Sequence, residues 1–210
     1  YNQSAFVKNG SIMTYNDPNV RTRVGIDVSQ YQGDVDWESV ARTEVDFVIA
    51  RVGGRGYTAG AIYEDTKFDE YADGASRAGL QVGTYFFSQA ISVAEAEEEA
   101  YFVLDKLRGH NITGPVVFDW EVIGKSEART YGIETGVLCA AAKAFCEIIE
   151  DAGYDAMIYI TDYAGYVKYD LSKVMDYPLW YARYDVSAPT FYYDFAMWQY
   201  SSKGSVDGIK

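Results

Sequence analysis

Short apolar runs separated by amphipathic stretches make up most of the chain after residue 23. Seven of these runs have the length of buried strands, and they cover residues 24–28, 46–52, 81–88, 115–121, 154–161, 178–184 and 194–200. Strand–helix alternation of this kind predicts parallel strands joined by helical crossovers. Seven strand candidates favour a barrel over an open sheet. The helical spacers weaken after residue 160, so we expect the second half of the barrel to be irregular.

Three of the predicted helices have recognisable ends. Ser92 and Glu95 form a capping box, which predicts that a helix begins directly after Ser92. Apolar positions at helical spacing run from Leu138 towards Gly153, and a third set that begins at Phe68 runs towards Gly79. Glycine is the residue that most often follows the last turn of a helix, so both glycines predict helix ends.

The first 22 residues differ from the rest of the chain. They are polar and irregular and include Asn16-Asp17-Pro18-Asn19, so we expect a leader or linker that is partly ordered. Residues 23–210 then form one domain, for which a hydrophobic content of 49% supplies an ample core. The chain begins at Tyr1 without a basic and then apolar leader, which suggests a mature form or an excised domain.

Charge and composition argue against several classes of protein. The chain has 31 acidic and 18 basic residues, a net charge of -13, which disfavours binding to nucleic acid or to anionic membranes. No stretch approaches the about 18 apolar residues of a membrane span. The single histidine, His110, leaves no zinc site built on two or three histidines and no evident Ser-His or Cys-His pair. We therefore expect no metal and no cofactor.

Two carboxylates at the end of the fourth apolar run are the leading candidates for chemistry. Asp119 and Glu121 lie two residues apart, so on a strand they point to one side and Trp120 to the other. Neighbouring buried carboxyls repel each other, which lets one stay protonated near neutral pH while the other ionises. The alternative is a pair of solvated acids. Asp27, which ends the first run, would join the pair at the carboxyl edge of a barrel.

Aromatic residues are the other unusual feature of the composition. The chain has 20 Tyr, 10 Phe and 4 Trp, and many of these must belong to the core. A tyrosine combines a flat apolar face with a hydroxyl, which suits sugar rings. The predicted strands end in residues of this kind, so we expect an acid-lined cleft with aromatic walls. Its candidate substrate-binding residues are Tyr85, Phe87, Tyr159, Tyr181, Trp198 and Gln199.

Several segments, in this order and spacing, resemble glycoside hydrolase family 25, the lysozyme-like N-acetylmuramidases. They are Gly25-Ile26-Asp27-Val28-Ser29 with Gln32-Gly33 and Asp36-Trp37, Phe47-Val48-Ile49-Ala50-Arg51, Asp65-x-x-Phe68 with Ala78-Gly79-Leu80-x-Val82-Gly83-x-Tyr85, Phe118-Asp119-Trp120-Glu121, Pro178-Leu179-Trp180-x-Ala182-x-Tyr184, and Trp198-Gln199-Tyr200-Ser201-Ser202-x-Gly204-x-Val206-x-Gly208-Ile209. The resemblance covers residues 23–210. No single segment is decisive, but together they are highly specific.

The resemblance implies an α/β fold, an irregular TIM-like (β/α)5β3 barrel, and cleavage of the β-1,4 bond between N-acetylmuramic acid and N-acetylglucosamine in peptidoglycan. Glu121 would be the general acid, Asp119 would stabilise the acetamido group or the oxocarbenium ion, and Asp27 would line the same site. The partner would be the glycan strands of peptidoglycan, acted on by a monomer outside the cell or in the cell wall. Both a carboxylate nucleophile and attack by the substrate's own 2-acetamido group remain open.

One departure from the family pattern keeps a second function in view. The family usually carries a further Asp just beyond the Gly-Ile of its last motif, whereas this sequence ends at Ile209-Lys210, and Asp207 is not the matching residue. Either the C-terminal end is truncated or the barrel lacks its final strand. The alternative function is therefore a catalytically weakened wall-binding module. A chitinase-type motif would need acids where Val117 and Gly114 stand, which disfavours that class.

Overall fold

A computed structural model describes residues 1–210. Its strands are β1 (Phe6–Asn9), β2 (Ile12–Tyr15), β3 (Val24–Val28), β4 (Val45–Arg55), β5 (Ile62–Glu64), β6 (Gln81–Ser88), β7 (Val116–Trp120), β8 (Ala156–Thr161), β9 (Leu179–Ala182) and β10 (Met197–Gln199). Its α-helices are α1 (Trp37–Val40), α2 (Phe68–Arg77), α3 (Val93–Leu107) and α4 (Thr135–Asp151).

One curled sheet organises this mixed α/β fold. Its strands follow the order β10-β9-β8-β7-β6-β4-β3, and all neighbours in this path are parallel. The short strand β5 adds an antiparallel pair to the end of β4. All seven predicted strands are present, which confirms the α/β alternation. The predicted irregularity after residue 160 is also present, because a π-helical turn at Ala164–Lys168 stands where a full crossover helix would be.

The helix ends lie where the sequence places them. The Ser92 hydroxyl oxygen accepts a hydrogen bond of 3.2 Å from the Glu95 N–H, and α3 begins at the next residue. The Glu95 carboxylate accepts a hydrogen bond of 2.9 Å from the Ile91 N–H, whereas a capping box would use the N–H of the next residue, Ser92. Gly79 and Gly153 follow α2 and α4 with φ of 87° and 89°, a backbone region that favours glycine.

Apolar side chains cover both faces of the sheet. On the outer face, Phe118 packs on Phe145 of α4 with ring centroids 5.2 Å apart, and Trp120 is buried in the same core. On the inner face, Ile49, Val117 and Trp180 belong to a smaller cluster of six buried residues inside the curl. Because side chains alternate along a strand, Asp119 and Glu121 follow Val117 to the inner side.

The N-terminal segment is not the irregular leader that we expected. β1 and β2 form an antiparallel hairpin around Gly10, whose φ is 63°. The Phe6 ring packs on Trp198 with ring centroids 5.3 Å apart, and the Tyr1 hydroxyl donates to the Phe191 carbonyl at 3.0 Å. Four-residue strands give too short an apolar alternation to stand out in a polar segment. These contacts with residues near the C-terminus fix the hairpin against the sheet.

The histidine and the two cysteines lie away from the inner face of the sheet. His110 lies between Asp73 and Asp69, with Nδ1 2.7 Å and Nε2 3.1 Å from the two carboxylates. Cys139 and Cys146 are buried free thiols on α4. None of the helices is both long and apolar enough to cross a lipid bilayer.

Candidate active site

The three acids predicted to share a site line one cavity of about 550 Å³. Asp27 comes from β3, Asp119 from β7, and Glu121 directly follows β7, so all lie towards the carboxyl ends of parallel strands. This is the edge at which barrel enzymes place their chemistry. The fold therefore brings together acids that are 94 residues apart along the chain.

Asp119 is the most deeply placed of the three. Its side chain is buried, and its Oδ1 makes no hydrogen bond within the protein. Burial raises the pKa of this carboxyl well above its usual value, and the neighbouring charges of Glu121 and Asp27 raise it further. The Arg51 guanidinium opposes these effects. Asp119 lines the cavity, so its carboxyl can interact with a group that enters there.

Glu121 and Asp27 lie closer to solvent. Glu121 is half-buried, and burial raises its pKa, followed by the charge of Asp27. Asp27 is closely surrounded by protein atoms, yet its side chain is open to the solvent in the cavity. Burial raises the pKa of Asp27, while a hydrogen bond from Gln199 lowers it. All three acids therefore have raised pKa values, although their surroundings differ.

A chain of side-chain hydrogen bonds joins the two edges of the sheet at this site. The hydroxyls of Tyr159 and Tyr184 both donate to Gln199 Oε1, at 2.9 Å and 2.7 Å. Gln199 Nε2 in turn donates to Asp27 Oδ2 at 2.8 Å. No backbone pairing joins β3 to β10, so this side-chain bridge spans the gap between them. Burial raises the pKa of Tyr159 above its usual value, which keeps the hydroxyl a neutral donor.

Aromatic rings form the walls of the cavity. The Trp180 ring stands edge-on to Tyr159, with ring centroids 5.1 Å apart, and to Tyr85, at 6.4 Å. Phe87 lines the same space. Four of the six predicted substrate-binding residues, namely Tyr85, Phe87, Tyr159 and Gln199, therefore lie in the cavity.

The other two predicted substrate-binding residues lie outside it. The Tyr181 hydroxyl donates to Asp162 at 2.6 Å, and its ring stacks on Phe191 with centroids 4.9 Å apart. Trp198 donates from Nε1 to the Arg183 carbonyl at 3.0 Å and packs on the N-terminal hairpin. Strand alternation is the reason, because their neighbours Trp180 and Gln199 occupy the inward positions. The structure therefore does not bring Tyr181 and Trp198 into the cavity.

Several lining residues were not among the predicted substrate-binding positions. Trp180 and Tyr184 could have been found by extending the inward alternation along β9 and beyond its end. Loop residues carry no such periodic signal. The additional lining residues are Tyr31, Arg51, Tyr57, Tyr63, Ile123, Trp180, Tyr184 and Ser202.

Arg51 both pairs with Asp65, Nε to Oδ2 at 2.7 Å, and lies over the Tyr31 ring, 5.1 Å from its centroid.

Comparison with known proteins assigns this cavity to a family. Residues 26–209 match the model of the family described as glycosyl hydrolases family 25, and this range includes all three acids. The chain belongs to glycosyl hydrolase family 25. It is 31% identical over 186 residues to the autolytic lysozyme of Clostridium acetobutylicum, an alignment that covers 88% of this chain and 52% of that protein. The chain thus spans about half the length of this curated relative.

Solved structures agree with the family 25 fold. The bacterial lysozyme from Streptomyces coelicolor superimposes with a TM-score of 0.71 at 27% identity, over 90% of this chain and 88% of that one. The modular autolysin LytC from Streptococcus pneumoniae, solved in complex with a synthetic peptidoglycan ligand, gives a TM-score of 0.78 at 22% identity. That match covers 98% of this chain and 50% of LytC, and at this identity it speaks for the fold alone.

The family 25 site contains no cluster suited to a metal ion. No group of three His, Cys, Asp or Glu side chains is placed to hold one. What the site offers is a set of carboxyls with raised pKa values beside neutral hydroxyl donors. Such groups can donate a proton and stabilise developing positive charge.

A buried glutamine holds the segment that carries Glu121. The Gln89 side chain donates from Nε2 to the Glu121 carbonyl oxygen at 3.0 Å and to the Ser88 carbonyl at 2.9 Å. Its Oε1 accepts from the Thr130 hydroxyl at 2.7 Å. One side chain therefore ties the end of β6 to the end of β7 and to the loop that follows.

Gln89→Leu is expected to destabilise the protein by about 2 kcal/mol, because buried partners would lose their hydrogen bonds. Two of these partners, Ser88 and Thr130, are buried residues. Chemical denaturation of the variant and the wild type measures the difference. An unchanged free energy of unfolding would mean that this network does not stabilise the fold.

Proposed function

We propose that this family 25 chain is a peptidoglycan hydrolase that cleaves the β-1,4 bond between N-acetylmuramic acid and N-acetylglucosamine. The observation that carries the proposal is the pair Asp119 and Glu121, which face one aromatic-walled cavity with Asp27 opposite. Aromatic walls suit sugar rings, and paired carboxyls suit glycoside hydrolysis. The relatives named above as lysozymes support the same reaction.

Glu121 is the proposed general acid. Its raised pKa keeps the carboxyl protonated to higher pH than an exposed glutamate, and its half-buried position leaves it accessible from the cavity. It donates its proton to the glycosidic oxygen as the bond to the anomeric carbon breaks. Asp119 then stabilises the positive charge that develops on the sugar, and Asp27 lines the site beside Gln199.

The substrate's 2-acetamido group is the proposed nucleophile. The position of the Asp119 carboxyl at the cavity supports this route, because a carboxyl there can accept the acetamido N–H and orient the carbonyl oxygen for attack. The Asp-x-Glu spacing also resembles that of substrate-assisted glycosidases. Mass spectrometry of the protein with a slow substrate distinguishes the routes. A covalent sugar adduct on Asp27 or Asp119 would contradict the substrate-assisted route.

Asp27→Asn is expected to shift the basic limb of the pH–activity profile to lower pH. The charge of Asp27 raises the pKa of Glu121, so its removal lowers that pKa, and the general acid loses its proton at lower pH. Hydrolysis rates of the variant and the wild type across pH measure the shift. A basic limb that stays in place, or moves to higher pH, would contradict the assignment of Glu121.

Turbidity clearing of bacterial walls separates hydrolysis from simple wall binding. The proposal predicts clearing by the wild type and none by Glu121→Gln. Equal clearing by both proteins would refute Glu121 as the acid. Binding of the wild type to walls without clearing would favour the wall-binding module instead.

The wider sequence-based predictions belong to the same proposal. They are a (β/α)5β3 strand and helix count, a catalytic domain over residues 23–210, and a monomer that acts on glycan strands in the cell wall or outside the cell. The net charge of -13 supports the expectation that neither nucleic acid nor an anionic membrane is a partner.

A further inference from the structure

A second cavity, of about 510 Å³, opens beside the acid-lined one. Its lining includes Trp120, Ile123, Lys125, Tyr131, Tyr163 and Lys168. We call it the lysine groove. It lies between the loop that follows β7 and the π-helical turn that follows β8.

The two lysines of this groove have no carboxylate partner. Neither Lys125 nor Lys168 takes part in an ion pair, although this chain has nearly twice as many acids as bases. Each ammonium lies near an aromatic ring instead, Lys125 5.3 Å from the centroid of Tyr57 and Lys168 5.9 Å from that of Tyr163. These ring contacts hold both charges at the groove without neutralising them.

The charge of the groove is opposite to that of the rest of the molecule. No Asp or Glu lines it, whereas three acids line the neighbouring cavity. Tyr131 and Tyr163 expose most of their surface, at 69% and 52%, and supply flat apolar faces with hydroxyls. Two free ammonium groups between such rings suit an organic anion with an extended, partly apolar body.

The lysine groove adjoins the proposed active site. Ile123 lines both cavities, and Tyr57, the ring beneath Lys125, lines the acid-lined one. Ile123 is only two residues from Glu121. For a sugar bound at Glu121, Ile123 is the shared wall that a projecting substituent would have to pass to reach the groove.

We propose that the lysine groove binds the carboxylate-bearing peptide that is attached to the muramic acid of peptidoglycan. The proposal rests on the proposed function, because it takes the glycan strand to lie in the acid-lined cavity. Lys125 and Lys168 pair with carboxylates of the peptide, and the rings of Tyr131 and Tyr163 pack against its backbone and side chains. The groove makes the chain prefer glycan that carries peptides over bare glycan.

Binding to insoluble peptidoglycan tests the groove separately from catalysis. Glu121→Gln serves as the parent, and its dissociation constant is measured on glycan with its peptides and on glycan stripped of them by an amidase. Teichoic acid is removed from both. We expect the parent to bind the peptide-bearing glycan about tenfold more tightly, as two solvent-accessible ion pairs allow. Adding Lys125→Met and Lys168→Met should abolish this preference without weakening binding to stripped glycan.

A charge-matched variant controls for the change in net charge. Lys143→Met with Lys173→Met removes two exposed lysines whose ion pairs lie on or beside α4, away from both cavities, and should keep the preference. Equal binding of the parent to both glycans, or a preference that survives loss of Lys125 and Lys168, would overturn the proposal. Lysine-dependent binding to stripped glycan that still carries its teichoic acid, with no tighter binding when peptides are present, would identify a phosphate ligand and also overturn the proposal.

A soluble muramyl peptide distinguishes failure of this proposal from failure of the proposed function. Its titration into the parent should show binding that weakens in high salt and is lost with Lys125→Met and Lys168→Met. Lysine-dependent binding here, with no hydrolysis of any glycan by the wild type, would retain the groove and refute the hydrolase. Hydrolysis of bare and peptide-bearing glycan at equal rates, without binding of the soluble muramyl peptide, would retain the hydrolase and refute the groove.

Discussion

Glu121→Gln is expected to lower the rate of peptidoglycan hydrolysis by about 10²–10⁴-fold, the usual contribution of general acid catalysis. Glutamine has nearly the same shape as glutamic acid and cannot deliver a proton to the glycosidic oxygen. Release of reducing sugar ends from purified peptidoglycan measures the loss. Glu44→Gln is the matched control, because Glu44 is exposed and precedes β4 at the opposite edge of the sheet.

The same variant should not lose stability. Burial and the charge of Asp27 raise the pKa of Glu121, so ionisation of Glu121 lowers the free energy of unfolding. The neutral amide of glutamine does not ionise and so avoids this loss. Thermal denaturation should therefore show a midpoint at or above that of the wild type. Loss of activity together with a clearly lower midpoint would indicate damage to the fold. The loss of activity would then not support Glu121 as the proton donor.

Asp119→Asn is expected to reduce hydrolysis by about 10²–10³-fold, as loss of one preorganised charge-stabilising group usually does. It should also make the protein more stable at neutral pH. Burial raises the pKa of Asp119 above its unfolded value, so its contribution to stability is present at low pH and is lost as pH rises. The amide has no proton to lose, so the stability gained over the wild type should grow with pH.

Denaturation of Asp119→Asn and the wild type at several pH values, with activity measured in parallel, tests both parts. Asp155→Asn is the matched control, since Asp155 is exposed and precedes β8 at the far edge of the sheet. A variant that is less stable than the wild type at neutral pH would show that the Asp119 carboxylate supports the fold. Full activity would show that its charge is not needed for the reaction.

Strand alternation explains what the sequence could predict about the site. The inward positions of β7 carry Val117 and Asp119, and Glu121 continues the same alternation directly after the strand. The predicted orientation of the acid pair followed from this alternation alone. The same rule, applied to β9 and β10, would have chosen Trp180 over Tyr181 and Gln199 over Trp198. Aromatic character instead favoured Tyr181 and Trp198, because a large aromatic side chain suits a core as well as a cleft.

Other features lie beyond a periodic signal. Tyr31 belongs to a short 3-10 helix and Tyr57 to a turn, and their place in the cavity depends on contacts with Arg51 and Lys125 that only the fold creates. The N-terminal hairpin was missed for a related reason. Its strands have four residues each, and Phe6 acquires its role by packing on Trp198, which is remote in sequence. The segments that carried the resemblance identified the family, and the match of the family model to residues 26–209 confirms it.

Identification of the new reducing ends gives the most direct test of the central claim. Purified peptidoglycan is treated with the wild type and with Glu121→Gln, and the soluble products are reduced and analysed by mass spectrometry. The account predicts products that end in reduced N-acetylmuramic acid with the wild type and almost none with the variant. Products that end in reduced N-acetylglucosamine, or equal release by both proteins, would contradict it.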